Sequence, residues 1–150
     1  MNPEGRPGDW VQTTTGRQFW ILDPRPEDVC LYDIAHSHAA VPHFNGHSRP
    51  LISIAEHTLH VASLLPPRLK LPGLLHDSEE PYIGDILKPL KRSMPPSMRQ
   101  WFKSRAEDIR RVVFEAFNIP WPSEEDWARI KEADNKSCLL YTSPSPRDPE

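Results

Sequence analysis

The sequence predicts one mostly helical domain with a small N-terminal β-hairpin, and three observations lead there. Apolar residues recur at three- and four-residue intervals through the middle and C-terminal thirds, the spacing of a helix face turned to a core. Eighteen prolines in 150 residues cut those segments into short helices joined by tight connections. One stretch near the N-terminus instead gathers Thr, Val, Ile and Trp on both sides of a turn, as a hairpin does.

Residues 1–9 are rich in Gly, Pro and charge and are expected to be loose. DWVQTTTGRQFWILDP follows, with Thr15-Gly16 as the turn of the hairpin. DPRPED breaks the chain, and its acidic end suits the first turn of a helix over about residues 29–41. Residues 42–50 read as a loop. Ser53, with Glu56 three residues on, starts a second helix that runs to Leu65 before Pro66-Pro67. A third begins near Pro72 and carries LLHDSEE to Pro81. Residues 83–96 read as mostly irregular. Ser97 caps a longer helix with the stripe Phe102, Ala106, Ile109, Val113, Ala116 and Phe117, ending at Asn118. Ser123 with Asp126 opens the last helix, residues 123–135. No internal repeat or domain linker interrupts residues 10–137, which are read as one domain.

The string CLLYTSPSPRD resembles translated sequencing-adapter read-through. Residues 138–150 are therefore expected to be foreign to a native chain that continued past about Ser137, with a disordered tail as the alternative. Neither reading lends them a function.

Composition excludes several classes. A formal net charge of −3 gives no general attraction to nucleic acid. An anionic substrate would need a local cation. Two cysteines, Cys30 and Cys138, are too few for a disulfide scaffold. No apolar run approaches the roughly 20 residues of a membrane span, and the polar N-terminus lacks a signal-peptide core. A cytoplasmic protein that neither enters a membrane nor binds nucleic acid stably is expected.

Three stretches carry chemistry: AEHTLHVA, LLHDSEEPYIGD and IKEADN. Ile54, His57, Val61 and Leu64 share a helix face, so an imidazole points with the apolar stripe. Alone, such a histidine is more often a satisfied core residue than a ligand. Trp127, Ile130 and Asp134 repeat the pattern with a carboxylate, which is costly to bury unless paired or coordinated. His76-Asp77 adds a second imidazole and carboxylate, both able to reach one ion. An HD dipeptide alone is weak evidence; an inward histidine, an HD pair and a distant inward aspartate in that order are specific. The mixed nitrogen–oxygen set suits one divalent ion, Mn²⁺, Co²⁺, Fe²⁺, Zn²⁺ or Mg²⁺, with positions left open.

The order H…HD…D, with the motifs EHT, HDSEE, GDILKPLK and EAD, resembles the HD-domain metal-dependent phosphohydrolase superfamily. More narrowly, it resembles the small bacterial and phage branch of 5′-deoxynucleotidases and deoxynucleoside triphosphate hydrolases, over about residues 10–137. The resemblance implies an all-α HD-domain bundle and cleavage of phosphate from (deoxy)nucleotides by metal-activated water. On its motifs, His57, His76, Asp77 and Asp134 match the metal ligands. Glu80 matches the general acid/base, and Asp85 a residue near the metal that orients water or a sugar hydroxyl. Glu80 also lies four residues after His76, on the metal face if the helix persists; Glu79 points about 100° away and is read as solvated. Lys91 matches a family lysine for phosphate, with Lys88 and Arg92 beside it; solvated surface charge is the competing reading of each. Trp20 and Phe44 are the candidates to stack on a nucleobase, although core or hairpin packing is the first reading of each. HFNGH departs from the family pattern, which usually carries arginine at the position of His43, and this leaves the substrate assignment open; Arg49 is the candidate substitute. His36 and His60 are read as packing or supporting groups, and His38 and His47 receive no role.

The partner expected is a nucleotide. A homodimer is compatible with the resemblance, but no sequence feature specifies one. Two alternatives stand beside the nucleotidase. One is a non-catalytic HD-type module that binds metal or nucleotide, against which the presence of Glu80 argues. The other is a hydrolase of alarmone-like nucleotide pyrophosphates, whose longer relatives carry further domains.

Overall fold

A computed structural model of the protein describes residues 5–142. The chain is mostly helical, with the expected hairpin at its start. Strands β1 (Trp10–Gln12) and β2 (Gln18–Trp20) pair antiparallel with Trp10 opposite Trp20. Gly16 turns the chain at φ 81°, a conformation that costs glycine little. The segment before β1 is tied down rather than loose. Arg6 is buried, pairs with Asp23 at 2.8 Å and Asp28 at 2.7 Å, and lies over the Trp20 ring. One planar guanidinium thus satisfies two carboxylates and an indole face at once. Residues 1–4 lie outside the described range.

A short 3₁₀ turn at Pro26–Asp28 leads into α1 (Leu31–Ala40). In α2 (Ile54–Ser63) the capping box is present: the Glu56 N–H donates to Ser53 Oγ, and the Ser53 N–H donates to Glu56 Oε2. The third predicted helix is shorter than expected. It ends as α3 (Lys70–Leu74), the HD pair sits in the turn that follows, and a separate single turn, α4 (Glu80–Ile83), contains Pro81. Proline suits that early position, where no N–H is needed. The segment read as irregular contains α5 (Lys88–Ser93). The long helix α6 (Pro96–Ala116) starts slightly before Ser97 and ends where Asn118 takes φ 53°. Helix α7 (Glu124–Thr142) opens with the Asp126 N–H on Ser123 Oγ and continues seven residues beyond Asn135. Residues 143–150 of the proposed foreign tail lie outside the described range.

Two apolar clusters set the layers. Phe19, Val29, Ile34, Leu75, Tyr82, Ile109, Val113 and Phe114 join the hairpin and α1 to α6. Val61, Leu65 and Leu69 pack with Ile130 and Ala133, joining α2 to α7. Gly73 decides how closely α3 meets α2. A Cβ there would lie 2.4 Å from Leu65 Cδ1 and 3.6 Å from Ala62 Cα. The turn after α3 is therefore held directly beside α2, and His76 beside His57.

Candidate metal centre

Four side chains from three elements converge: His57 of α2, His76 and Asp77 of the turn after α3, and Asp134 of α7. His57 is fully buried, and His76 and Asp134 nearly so. His57 Nε2 lies 3.3 Å from Asp134 Oδ1 and 3.6 Å from Asp77 Oδ2, and His76 Nε2 lies 2.9 Å from Asp77 Oδ2. None of these contacts has hydrogen-bond geometry, and both Nε2 atoms are buried without a hydrogen-bond partner. Ligand atoms of His57, His76 and Asp134 lie within 4.8 Å of one another, close enough to hold one metal ion.

The opposite ring nitrogens explain why the Nε2 atoms face inward. His76 Nδ1 donates to Gly73 O at 2.8 Å; a carbonyl only accepts, so Nδ1 carries the proton. Ser137 Oγ lies 3.1 Å from His57 Nδ1 and 2.9 Å from His60 Nδ1. A chain from His57 N–H to the serine, and from its hydroxyl to His60, leaves the His57 Nε2 lone pair inward. Two lone pairs and two carboxylates aimed at one buried point repel each other unless a cation lies among them. This donor set fits a divalent ion.

The electrostatics reflect the same crowding. Burial raises the Asp77 carboxyl, but the His76 and His57 imidazoles outweigh it and hold it well below the ordinary range. Asp134 is likewise lowered despite burial, by His57, His76 and Lys131. Burial would lower His76, yet Asp77 and Asp134 raise it; for His57, burial prevails and lowers it.

Glu80 enters the same neighbourhood without the continuous helix expected for it. Its Oε2 is buried without a hydrogen-bond partner. Burial first, then the charges of Asp77, Asp85 and Glu79, push the carboxyl up to about 11, against which Lys91 acts weakly. Burial among carboxylates thus favours its protonated form, the form that can donate a proton. Glu79 corrects the expectation of a solvated side chain: it is buried, and Arg110 of α6 binds it through Nε at 3.0 Å and Nη2 at 2.6 Å.

A cavity of about 380 Å³ opens onto these groups, lined by His43, Phe44, Asp77, Glu80, Asp85, Lys88, Lys91, Lys131 and Asp134 among others. Lys88 Nζ lies 4.0 Å from Asp134 Oδ2, and Lys91 Nζ lies over the Phe102 ring. Arg92 is exposed and, like Arg49, is absent from this lining. Asp85 accepts from His43 Nδ1 and the Phe44 N–H, both at 3.1 Å. It thereby braces a segment in which Phe44 (φ 53°) and Asn45 (φ 52°) are left-handed, a conformation costly for phenylalanine. His43 is buried and stacks on His57 with 4.2 Å between ring centroids.

Other expectations are corrected. Trp20 is only 2% exposed and fills the core beneath Arg6, so its ring offers no face to a nucleobase. His36 is exposed, and His38, four residues after Ile34 on the buried stripe, points inward instead. His38 Nε2 donates to Asp77 O at 3.1 Å and pins the HD turn. Sequence reasoning missed Lys131, whose Nζ lies 2.5 Å from Asp134 Oδ2, and Ser137. The spacing of Trp127, Ile130 and Asp134, extended three residues, would have found Ser137. Cys138 Sγ also donates to Asp134 Oδ1 at 3.2 Å, and Cys138 forms a second close group with His43 and His57.

No helix of the described residues is long and apolar enough to cross a membrane. No family model matches the chain. Over 111 residues it is 31% identical to the uncharacterized protein YfdR of Escherichia coli (strain K12), a match covering 74% of this chain and 60% of that protein. Over 94 residues it is 36% identical to an uncharacterized protein of Rhodobacter capsulatus, covering 57% of this chain and 48% of that protein. The chain thus spans about half the length of the curated relatives it matches.

Proposed function

We propose that the chain is a divalent-metal-dependent phosphohydrolase of the HD-domain class, acting on (deoxy)nucleotides. One observation carries the reading: two buried, unpartnered imidazole Nε2 atoms and two carboxylates meet at one point beside the buried carboxyl of Glu80.

His57, His76, Asp77 and Asp134 would hold the ion. When bound, it would supply Lewis acidity toward water and phosphoryl oxygens. The protein's own residues supply the rest. Hydrolysis of a phosphate ester adds water to phosphorus and leaves an alkoxide that needs a proton, and Glu80, whose carboxyl lines the same cavity, would supply it as general acid. Lys88, Lys91 and Lys131 line that cavity and offset the charge of a bound phosphate. Asp85 acts through His43 and the Phe44 backbone, keeping the rim in its left-handed form.

The test incubates purified protein with Mn²⁺ or Co²⁺ and a panel of deoxynucleoside mono- and triphosphates, with products resolved by chromatography. Metal-dependent release of nucleoside, lost in Asp77→Ala, is the expected result. Release of inorganic phosphate or of triphosphate distinguishes a 5′-nucleotidase from a triphosphohydrolase. No turnover by folded, metal-loaded protein would refute the reading and leave a binding module.

A further inference from the structure

Asp77, Arg110 and Lys131 line a second cavity as well as the first. This second cavity, about 470 Å³, is lined by residues of α6 and α7, with His76 and Asp77 also in its lining. Both cavities are rich in charged side chains, but this one also carries Trp121, Trp127 and Ile130, and the first has no indole. Trp121 and Trp127 pack together at 5.0 Å between ring centroids, so neither ring is free to turn.

Two guanidinium groups are mounted on these indoles. Arg111 lies 4.2 Å from the Trp121 ring centroid and Arg110 lies 5.4 Å from that of Trp127. Each is held edge-on by a carboxylate through Nε and Nη2, Arg111 by Glu107 and Arg110 by Glu79. A flat cation fixed over an aromatic ring presents a second flat face, which stacks on a heteroaromatic ring. Glu107 and Glu124 add acceptors for base amino groups or sugar hydroxyls, and Trp127 Nε1 is buried without a hydrogen-bond partner. Three cations against these two acids and Asp77 leave the lining near neutrality, which suits an uncharged organic moiety better than a polyphosphate.

We propose that the α6–α7 cleft binds the nucleobase and sugar of the substrate, stacking the base on the Arg111–Trp121 pair. This rests on the phosphohydrolase reading, which puts the scissile phosphate at the junction of the two cavities. It replaces Trp20, which the core has taken, as the aromatic element of base recognition.

The probe is deoxyadenosine, which carries no phosphate and binds without turnover or metal. Titration is followed by the indole N–H signals of Trp121 and Trp127 in ¹H–¹⁵N spectra, assigned with Trp121→Phe and Trp127→Phe. Deoxyadenosine shifts both signals, 2-deoxyribose at the same concentration shifts neither, and Arg111→Ala weakens binding about fivefold to tenfold. Arg111 is exposed, so its removal spares the fold, and Glu124→Ala serves as a second rim variant. If the nucleoside leaves both indole signals unmoved, or shifts them no more than 2-deoxyribose does, the cleft is not the nucleoside site. Failure of the phosphohydrolase reading shows separately, as absence of metal-dependent phosphate release whatever the spectra report.

Discussion

Ser137 Oγ stands 3.1 Å from His57 Nδ1, linking the last helix to the most deeply buried imidazole of the centre. With the His57 N–H on this hydroxyl the contact turns Nε2 toward the carboxylates, and its loss lets the ring change tautomer and tilt. Ser137→Ala removes one small buried oxygen, so it is expected to fold normally while weakening Mn²⁺ or Co²⁺ affinity roughly 10- to 100-fold. Calorimetric titration with Co²⁺ checks this, and unchanged affinity would show that packing alone orients His57.

Binding and chemistry should separate between neighbouring acids. Asp77→Ala is expected to abolish metal binding, because it removes a carboxylate from the convergence point. Glu80→Gln keeps size and burial, so it should retain metal while losing turnover by about 10²–10⁴-fold. Parallel titrations and rate measurements decide it.

Glu80 also sets a pH dependence in the metal-free protein. Its folded pKa is raised to about 11 by burial and by neighbouring carboxylates. The folded state therefore keeps a proton that the unfolded chain releases above about pH 4.3. Stability from this group is full below that pH and falls steadily as pH rises toward the folded value. Glu80→Gln removes the penalty, so its melting temperature in EDTA should exceed that of the wild type by a margin that grows from pH 4 to pH 8. A constant margin would contradict the assignment.

The opposite sign holds at Asp33. Burial would raise its carboxyl, but the Thr15 hydroxyl and N–H, each at 2.7 Å, outweigh burial and hold it below the usual range. Its contribution is present above the unfolded pKa of about 3.9 and is lost as pH falls through the lower folded value. Asp33→Asn should cost roughly 1–3 kcal/mol at pH 7 and progressively less below pH 4. Urea unfolding at the two pH values measures the difference.

Arg110 and Glu79 form a buried pair whose halves are unequal to lose. Arg110→Ala leaves the Glu79 carboxylate buried without its partner and should destabilise by about 3–5 kcal/mol. Replacing both, as Glu79→Leu with Arg110→Met, should recover most of that loss in thermal melts.

The sequence foretold what neighbours along the chain decide. The hairpin turn at Gly16, the Ser53–Glu56 box, and the inward faces of His57 and Asp134 all follow from local spacing. It failed where distant residues intervene. Helical phase made Glu79 solvated, but Arg110 arrives from α6 and makes burial tolerable. The HD pair was placed on a continuous helix, whereas Pro81 restarts the helix and His38 pins the turn between. For Trp20 the packing reading holds, but nothing local shows that Arg6 is what covers its ring. Lys131 drew no reading because it is an exposed lysine, and only its contact with Asp134 ties it to the site.

The spacing of the candidate metal centre depends on an atom that is missing. Because position 73 bears no side chain, the turn carrying His76 lies directly against α2, and the two imidazole centroids are 5.3 Å apart. A methyl group there must force Leu65 aside or lift the turn, and the apolar cluster around Leu65 gives little room for the first. Ligand geometry and core packing are thus set by the same dimension. Gly73 has no side chain to offer the site, yet its replacement would reach His57 and His76 by moving the walls that hold them, so mutational tolerance here should be as narrow as at the candidate ligands themselves.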